Sequence, residues 1–322
     1  MIPIRDAVRS THFPAVNFVI IVANVLAFLW QLSQGPRLEE AFLLYGIVPV
    51  RYSDSAVAVH FTAAQQLLPF LISMFLHGGF LHILGNMWFL YIFGDNIEDR
   101  IGHFRYLLFY LLSGIAAGLI HLFTNWHSQI PTIGASGAIA GVMGAYILLY
   151  PRARILTLIP IFFFFQFFEI PAFVFLGYWL LLQLVSAGLT PSDVGGVAWW
   201  AHIGGFVVGM IFVKIFDWIP RTRVSRGISR YTERHTTPRL HSISPWDSPD
   251  ELHSYGVITI TPREAQNGAR KLVTIPQGSR KKTVVVHVPP GIQEGKVLRL
   301  EGLGQKDADG NRGDLFLEVK IV

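Results

Sequence analysis

Residues 134–145 read GASGAIAGVMGA, and this stretch decides the class of fold. Small residues recur in it every four positions, as at Gly137, Gly141 and Ala145. Stripes of this kind let the backbones of two membrane helices approach closely. We therefore predict that the stretch belongs to a membrane-spanning helix packed tightly against a neighbouring helix.

The composition of the whole chain is also that of a membrane protein. Of 322 residues, 52% are hydrophobic and 15% are charged, whereas soluble domains carry about 25% charged residues. This balance excludes a disordered chain, a collagen-like fibre and a soluble enzyme extending over the full length. Because the chain has no cysteine, disulfides, thiolate zinc sites and cysteine nucleophiles are excluded as well.

Six segments are long and apolar enough to cross a bilayer, which takes about 20 residues. They lie at about 14–33, 80–96, 104–124, 133–150, 171–188 and 198–218. The apolar segment 155–170 is interrupted by Pro160 and Glu169, and we predict that it lies in the membrane interface rather than forming a seventh span. Lys and Arg concentrate in the segments that an inside N-terminus places in the cytoplasm. We therefore expect both termini in the cytoplasm, with spans two, four and six beginning at the outer face.

The charge balance changes after the last predicted span. Residues 1–220 carry a net charge of −1, and residues 221–322 carry +6. We predict a six-span membrane domain at 1–218, a basic flexible linker at 219–255 and a cytoplasmic β-sandwich at 256–322, where β-branched residues alternate between turn signals. Two interpretations of the linker arginines remain open, namely binding of anionic lipid headgroups and a simple positive-inside anchor. These arginines are Arg221, Arg223, Arg226 and Arg230.

Polar side chains mark the starts of spans two, four and six. His82 and Asn86 lie four residues apart on one face of span two, Ser136 begins span four, and His202 begins span six. Taken singly, each has a structural explanation as an interhelical hydrogen bond or a helix cap. Polar groups inside a membrane are costly, however, and these groups are predicted to lie at one depth. Together they favour a serine activated by a histidine base, with further donors for an oxyanion.

The ordered set of motifs resembles the rhomboid family of intramembrane serine proteases. The motifs are His77-x4-His82-x3-Asn86, Gly134-x-Ser136-Gly137 and Ala201-His202-x-x-Gly205, within about residues 10–218. The resemblance implies an all-α bundle of six membrane helices. It also implies that the protein is a serine endopeptidase that cuts transmembrane-helix substrates near the outer membrane face, after local unwinding.

Residue roles follow from the same resemblance. It implies a catalytic dyad of Ser136 as nucleophile and His202 as general base and acid, with Asn86 and His82 stabilising the oxyanion. The resemblance also implies that the remaining motif residues support the structure near the site. These residues are His77, Gly134, Gly137 and Gly205. No metal, cofactor or nucleic-acid partner is implied, so the expected partners are transmembrane substrates and the lipid bilayer.

Two features depart from the pattern of the family. The Trp-Arg pair that many members carry in the first outer loop is absent. Some members have an aromatic residue one turn after the nucleophile that stacks on the base, and here that position is Ala140. What orients His202 is therefore open, since neither Trp199 nor Trp200 can be assigned to this role from sequence.

The C-terminal part resembles the β-domain of DnaJ-type co-chaperones. The resemblance rests on residues 260–268 and on the glycine-punctuated run 288–315. No His-Pro-Asp tripeptide occurs in the chain, so stimulation of an Hsp70-type ATPase is not implied. The resemblance implies a module for peptide binding or self-association, and a passive β-domain that only stabilises or dimerises the protein remains an alternative.

Four other functions fit the sequence less well than serine proteolysis does. A catalytically silent rhomboid-like scaffold would typically have lost the serine or the histidine, and both are present. A transporter fits less well because no inverted repeat or acidic pair for ion coupling is seen. A zinc protease needs His-Glu-x-x-His, which is absent, and an aspartyl protease would need Asp95 and Asp217, which lie at the inner ends of their spans. We expect an integral multi-pass protein of a bacterial plasma membrane.

Overall fold

A computed structural model gives the structure of most of the chain. It describes residues 1–8, 10–161, 164–190, 196–218, 232, 240–242, 246–247, 252–277, 280–306 and 312–322. The chain divides into two compact units, residues 1–233 and 234–322. The four linker arginines named above lie outside the described residues.

Six long helices build the described part of the first unit, one at each predicted span. They are α1 (Ala15–Ser33), α7 (Phe80–Ile101), α8 (His103–Thr124), α9 (Ser136–Leu149), α10 (Ala172–Leu189) and α11 (Trp199–Trp218). Among the described residues, α1, α8, α10 and α11 are each long and apolar enough to cross a bilayer. Helix α7 has 22 residues and is apolar enough to cross when it is taken together with residues 63–75, from which it is bent by 78°. The predicted helical membrane domain is confirmed.

Helix α9 is the shortest of the six because of its position. All of residues 137–146 are buried, and the helix packs against α7, α8 and α11. A helix surrounded by protein needs no polar face, which explains its uniformly apolar sequence. Its 14 residues span about 21 Å at 1.5 Å per residue, which is shorter than the roughly 30 Å core of a bilayer. Its first residue is Ser136.

The segment between α1 and α7 folds over the end of the bundle where α7, α9 and α11 begin. It contains the short helices α2 (Leu38–Tyr45), α3 (Val50–Ser53), α4 (Ser55–Ala58), α5 (Ala63–Leu67) and α6 (Pro69–Ile72) and two 3-10 turns. Ile47 and Thr132 exchange two backbone hydrogen bonds of 3.0 and 2.8 Å, which fasten this segment to the loop before α9. The Gly134 N–H donates to the Ser73 carbonyl at 2.8 Å. The loop that carries the start of α9 is thus held on both sides.

The interfacial segment predicted at 155–170 forms a β-hairpin. Strands β2 (Arg154–Ile161) and β3 (Phe164–Pro171) pair antiparallel, and β1 (Ile2–Asp6) at the N-terminus adds a third strand to β2. The prediction that this segment is not a seventh helix is therefore confirmed. The sequence pattern did not reveal the strands, because an apolar run of this length suits a helix and a buried strand equally well.

The opposite end of the bundle is held by carboxylates of α7. Glu98 accepts hydrogen bonds from the backbone N–H groups of Val16 (2.9 Å) and Asn17 (2.7 Å) at the start of α1. The N-cap position of α1 is Pro14, whose side chain cannot cap the helix. The negative charge of Glu98 therefore satisfies donors that would otherwise be unpaired at a helix N-terminus.

The second unit is built from two sheets around one apolar core. The first sheet has the order β5-β6-β10-β9 and the second β4-β7-β8. The strands are β4 (Leu240–Ser242), β5 (Trp246–Asp247), β6 (Ser254–Ile260), β7 (Ala269–Gln277), β8 (Arg280–Val288), β9 (Val297–Leu300) and β10 (Leu315–Ile321), with helix α12 (Pro262–Asn267) between β6 and β7. Ile258, Val273, Val286 and Leu317 share the core, so the predicted β-domain is confirmed.

The boundary of this unit differs from the predicted linker. Strands β4 and β5 and the first residues of β6 fall within 219–255. Strand β4 pairs parallel with β7, and β5 pairs antiparallel with β6. Such short edge strands carry almost no periodic signal, so the composition of 219–255 could not reveal them.

Candidate active site

A cavity of about 700 Å³ opens among the ends of α7, α9, α10 and α11. Four of the side chains to which the sequence assigned chemistry line it: His82 and Asn86 from α7, Ser136 from α9 and His202 from α11. These residues are separated by up to 120 positions in the chain. The fold therefore brings the three predicted polar groups to one place.

Ser136 is the first residue of α9. Gly134, two residues earlier, has a φ of +129°, which L side chains rarely adopt. A Cβ at Gly134 would also lie 2.9 Å from His82 Nε2. Glycine is thus required for the turn that delivers Ser136 beside His82. The N–H of a first helical residue has no intrahelical acceptor, so the Ser136 N–H is available to a ligand.

Helices α9 and α11 touch backbone to backbone, as the small-residue stripe predicted. A Cβ on Gly205 would lie 2.1 Å from the Gly137 carbonyl oxygen, and one on Gly209 would lie 2.0 Å from that of Gly141. No side chain can separate the two helices at these points. The contact begins one residue after Ser136 and three residues after His202, and both side chains line the same cavity.

His202 is held by side chains of α10. Its Nδ1–H donates to Gln183 Oε1 at 2.7 Å, since an amide oxygen can only accept. The Trp179 ring lies beside the imidazole at 5.8 Å between ring centroids and 32° between planes, and Trp199 meets it edge-on at 6.3 Å. With the proton on Nδ1, the neutral imidazole carries its lone pair on Nε2.

Sequence reasoning missed Gln183 and Trp179. The available signal was an amide near the middle of an otherwise apolar span, which is costly in a membrane unless it has a partner. Of the two tryptophans left open, Trp199 contacts the imidazole ring, and Trp200 lines the cavity.

His82 has the opposite tautomer. The Gly78 N–H donates to His82 Nδ1 at 3.2 Å, so the proton of the neutral ring is on Nε2. His82 Nε2 is the atom nearest to the position that a Gly134 Cβ would occupy, where Ser136 Oγ is also close at 3.6 Å. His82 therefore presents an N–H donor on the Ser136 side of the cavity.

Asn86 offers a second donor on the same wall. Its side chain is buried, and its Nδ2 finds no acceptor among the described residues. A buried amide hydrogen without an acceptor costs about 1–3 kcal/mol and is rare in native proteins. Because Asn86 lines the cavity, an acceptor on a bound ligand could satisfy it.

His77 lies outside the described cavity lining and is almost fully buried. The Gln31 side chain makes two hydrogen bonds to the His77 backbone. Its Oε1 accepts from the His77 N–H at 2.9 Å, and its Nε2 donates to the His77 carbonyl at 2.8 Å. The His77 ring contacts the His82 ring edge-on at 5.1 Å between centroids. These contacts fit the supporting role that the resemblance implied for His77.

Other polar groups lie near the cavity or farther along its helices. No group of three or more His, Cys, Asp or Glu side chains within the described ranges could hold a metal ion. A further histidine that lines the cavity, His121, forms a hydrogen bond of 2.7 Å between its Nε2 and Thr132 Oγ1. Asp217 pairs with Arg100 at 2.8 Å and Asp95 accepts from Ser10 at 3.2 Å, far along their helices from the cavity.

Ser136 and His202 make no direct hydrogen bond to each other within the described contacts. In substrate-free proteases, catalytic hydrogen bonds are often long and tighten only when substrate binds. What the fold supplies is a serine at a helix start, an imidazole with its lone pair unused and three N–H donors around one cavity.

Comparison with known proteins gives the family. The family model described as Rhomboid domain matches residues 64–218. This part of the chain is a rhomboid domain. The rhomboid domain therefore includes every cavity residue discussed above. A second family model, DnaJ C terminal domain, matches residues 256–322.

Curated relatives also carry the rhomboid name. Rhomboid protein 1, mitochondrial, of Saccharomyces cerevisiae is 25% identical over 245 residues, which cover 74% of this chain and 60% of that protein. Presenilin-associated rhomboid-like protein, mitochondrial, of Homo sapiens is 27% identical over 207 residues, which cover 60% and 46%. RHOMBOID-like protein 5 of Arabidopsis thaliana is 31% identical over 117 residues, which cover 36% and 38%. The chain spans at most 60% of the length of these relatives.

Proposed function

We propose that the rhomboid domain is an intramembrane serine endopeptidase in which Ser136 attacks the substrate and His202 moves the proton. One observation carries the proposal. Ser136 at the start of α9 and the unoccupied Nε2 of His202 on α11 line the same cavity, at the place where the two helices are in backbone contact.

The chemistry follows the sequence of an acyl-enzyme mechanism. His202 Nε2 accepts the Ser136 hydroxyl proton as Oγ attacks the scissile carbonyl carbon. The carbonyl oxygen becomes an oxyanion, for which the Ser136 N–H, Asn86 Nδ2 and His82 Nε2–H are the available donors. His202 then gives its proton to the leaving amine. Water, deprotonated by the same nitrogen, releases the acyl group and restores the hydroxyl.

The position of the cavity supports one class of substrate. It lies among membrane helices, so a substrate must present its peptide bond within or at the edge of the bilayer. A helical backbone hides its carbonyls in internal hydrogen bonds, and the chain must therefore unwind locally before attack. We infer that the substrates are transmembrane helices with an easily unwound end.

Charge sorting supports an orientation. The site is at the end of the bundle where α7, α9 and α11 begin, and most basic residues of the membrane domain lie towards the other end. We therefore propose that the cavity faces away from the cytoplasm and that both termini are cytoplasmic. A bacterial plasma membrane remains our expected location, while two of the relatives compared above are mitochondrial by name.

Serine-directed labelling tests the proposed function. Purified protein in detergent should react covalently with a fluorophosphonate probe, and Ser136→Ala should not react. Ser113→Ala is the control, because Ser113 is a buried serine of another membrane helix, α8, and does not line the described cavity. If folded wild-type protein stays unlabelled, the protease proposal fails and the silent scaffold becomes the better explanation.

Loss of the Asn86 donor should slow the reaction. We expect Asn86→Ala to lower kcat by roughly 10²–10³-fold, the cost of removing one oxyanion donor. Asn24→Ala is the control, since Asn24 is a buried amide on α1 that bonds to its own helix. A rate for Asn86→Ala equal to that of the control would remove Asn86 from the site.

For the C-terminal unit, we propose peptide binding or self-association, in line with its match to the DnaJ C terminal domain. We also propose that the membrane domain at 1–218 is catalytically self-sufficient. A chain truncated after Trp218 should cleave a minimal transmembrane substrate at a rate within about threefold of the full chain, because all cavity residues precede that point. Unfolding of the truncated protein would show that this domain division is incorrect.

A further inference from the structure

The hydrogen bond and the nearer aromatic ring that hold the His202 imidazole come from α10, while Trp199 of its own helix meets the ring edge-on. Ala140, one turn after Ser136, is fully buried and too small to reach the imidazole as an aromatic ring would. Trp179 provides the aromatic face, and Gln183 provides the only described hydrogen bond of the His202 side chain. Because both side chains of α10 contact the imidazole of the proposed base, they do more than pack α10 against α11.

We propose that Gln183 is the positioning residue of the catalytic base. It holds His202 with the proton on Nδ1, which leaves Nε2 as the basic atom facing the cavity. The inference rests on the proposed function and adds a third residue to it, taken from a helix that carries no other proposed catalytic group.

The orientation of the Gln183 amide supports this role. Its Nε2 donates to the Trp179 carbonyl, one turn earlier, at 3.3 Å. This bond turns Oε1 away from α10's own backbone and towards His202. An amide held in this way offers His202 an acceptor and no competing donor, so the Nδ1-protonated tautomer is favoured. Gln183 is only 6% exposed, so water does not compete strongly for the same bond.

The neutral charge of Gln183 predicts the size of its contribution. Loss of the buried carboxylate in a Ser-His-Asp triad costs about 10⁴-fold, since that group both fixes the tautomer and stabilises the imidazolium. An amide can fix the tautomer but has no full charge with which to stabilise the cation. We therefore expect a smaller effect, of about 10–100-fold in kcat with KM unchanged, when Gln183 is replaced by leucine.

Activity measurements need variants that separate positioning from packing. Gln183→Leu keeps the bulk of the side chain and removes the acceptor. Gln183→Glu keeps an oxygen at the same place and should recover most of the lost kcat. Gly177→Ala, on the same helix where an added Cβ meets nothing within 4 Å, controls for changes in α10 and should behave as wild type.

A spectroscopic readout makes the test independent of proteolysis. With ¹⁵N-labelled histidine, and with His202→Ala to assign the signals, wild-type His202 should show a protonated Nδ1 and an unprotonated Nε2. Gln183→Leu should give a mixture of tautomers. A single unchanged tautomer in Gln183→Leu would overturn the proposal, even if the protein proved not to be a protease.

The remaining outcomes also decide the question. If Gln183→Leu does not fold, Gln183→Glu and Gln183→Met are measured in its place, and equal kcat for both would overturn the positioning role. If wild-type protein has the expected tautomer but does not react with the fluorophosphonate, the proposed function fails while the contact from Gln183 to His202 stands.

Discussion

Ser136→Ala is expected to abolish cleavage of a model transmembrane substrate while leaving the protein folded. The hydroxyl is the only group in the proposed reaction that forms a covalent bond to the substrate, so no neighbouring residue can substitute for it. Removing the nucleophile of a serine protease lowers kcat by about 10⁶-fold, which brings the rate below detection in a membrane assay. Ser136 is only half-buried at the start of a helix, so alanine should leave the thermal stability close to that of wild type.

The matching change at the base should be nearly as severe. His202→Ala removes the proton acceptor, and the double variant should be no slower than either single one, since the two residues act as a unit. Cleavage is measured in detergent and in vesicles, with Ser113→Ala as the serine control. Full activity in purified Ser136→Ala would refute the mechanism.

The second large effect is expected at Gly209, seven residues after His202 on α11. Its added Cβ would lie 2.0 Å from the Gly141 carbonyl oxygen, and the obstacle is backbone, which cannot rotate away. Gly209→Ala must therefore push α9 and α11 apart. Overpacking of this kind costs about 1–3 kcal/mol of stability. A displacement of about 1 Å at the reacting groups can cost about 10²-fold in rate.

The control for Gly209→Ala is the same substitution at Gly177 of α10. There the added Cβ meets nothing within 4 Å, and replacing glycine by alanine inside a helix is favourable by about 0.5–1 kcal/mol. The two variants should thus shift the melting temperature in opposite directions. Wild-type stability and cleavage rate in Gly209→Ala would mean that the contact between α9 and α11 is looser than described.

Much of the first unit could be predicted from local sequence. Apolar segments of about 20 residues identify membrane helices because the bilayer core has a fixed thickness. The stripe at Gly137 and Gly141 predicted tight packing of this helix against a neighbour, since only small residues allow backbone contact. In the second unit, alternation of β-branched residues predicted β-structure at 256–322, and the structure has strands there.

The failures of prediction also have physical causes. The segment 155–170 reads as a mostly apolar run, and its first strand, β2, pairs with residues 2–6 at the N-terminus, far away in the chain. Gln183 looked like an isolated polar residue because its partner, His202, lies on another helix. Pairings between distant residues leave no periodic trace in either segment.

The sequence by itself determined that this is a membrane protein with a β-rich C-terminal part, and it singled out Ser136, His202, His82 and Asn86 as residues of interest. Composition and spacing are sufficient for this, because hydrophobic length and helical period act locally. Only the tertiary structure decided that these four side chains line one cavity. It also decided that Gln183 Oε1 accepts the hydrogen bond from His202 Nδ1–H that defines the tautomer of His202. The physical reason is that protonation and hydrogen bonding depend on which atoms meet across helices, and that is settled by packing.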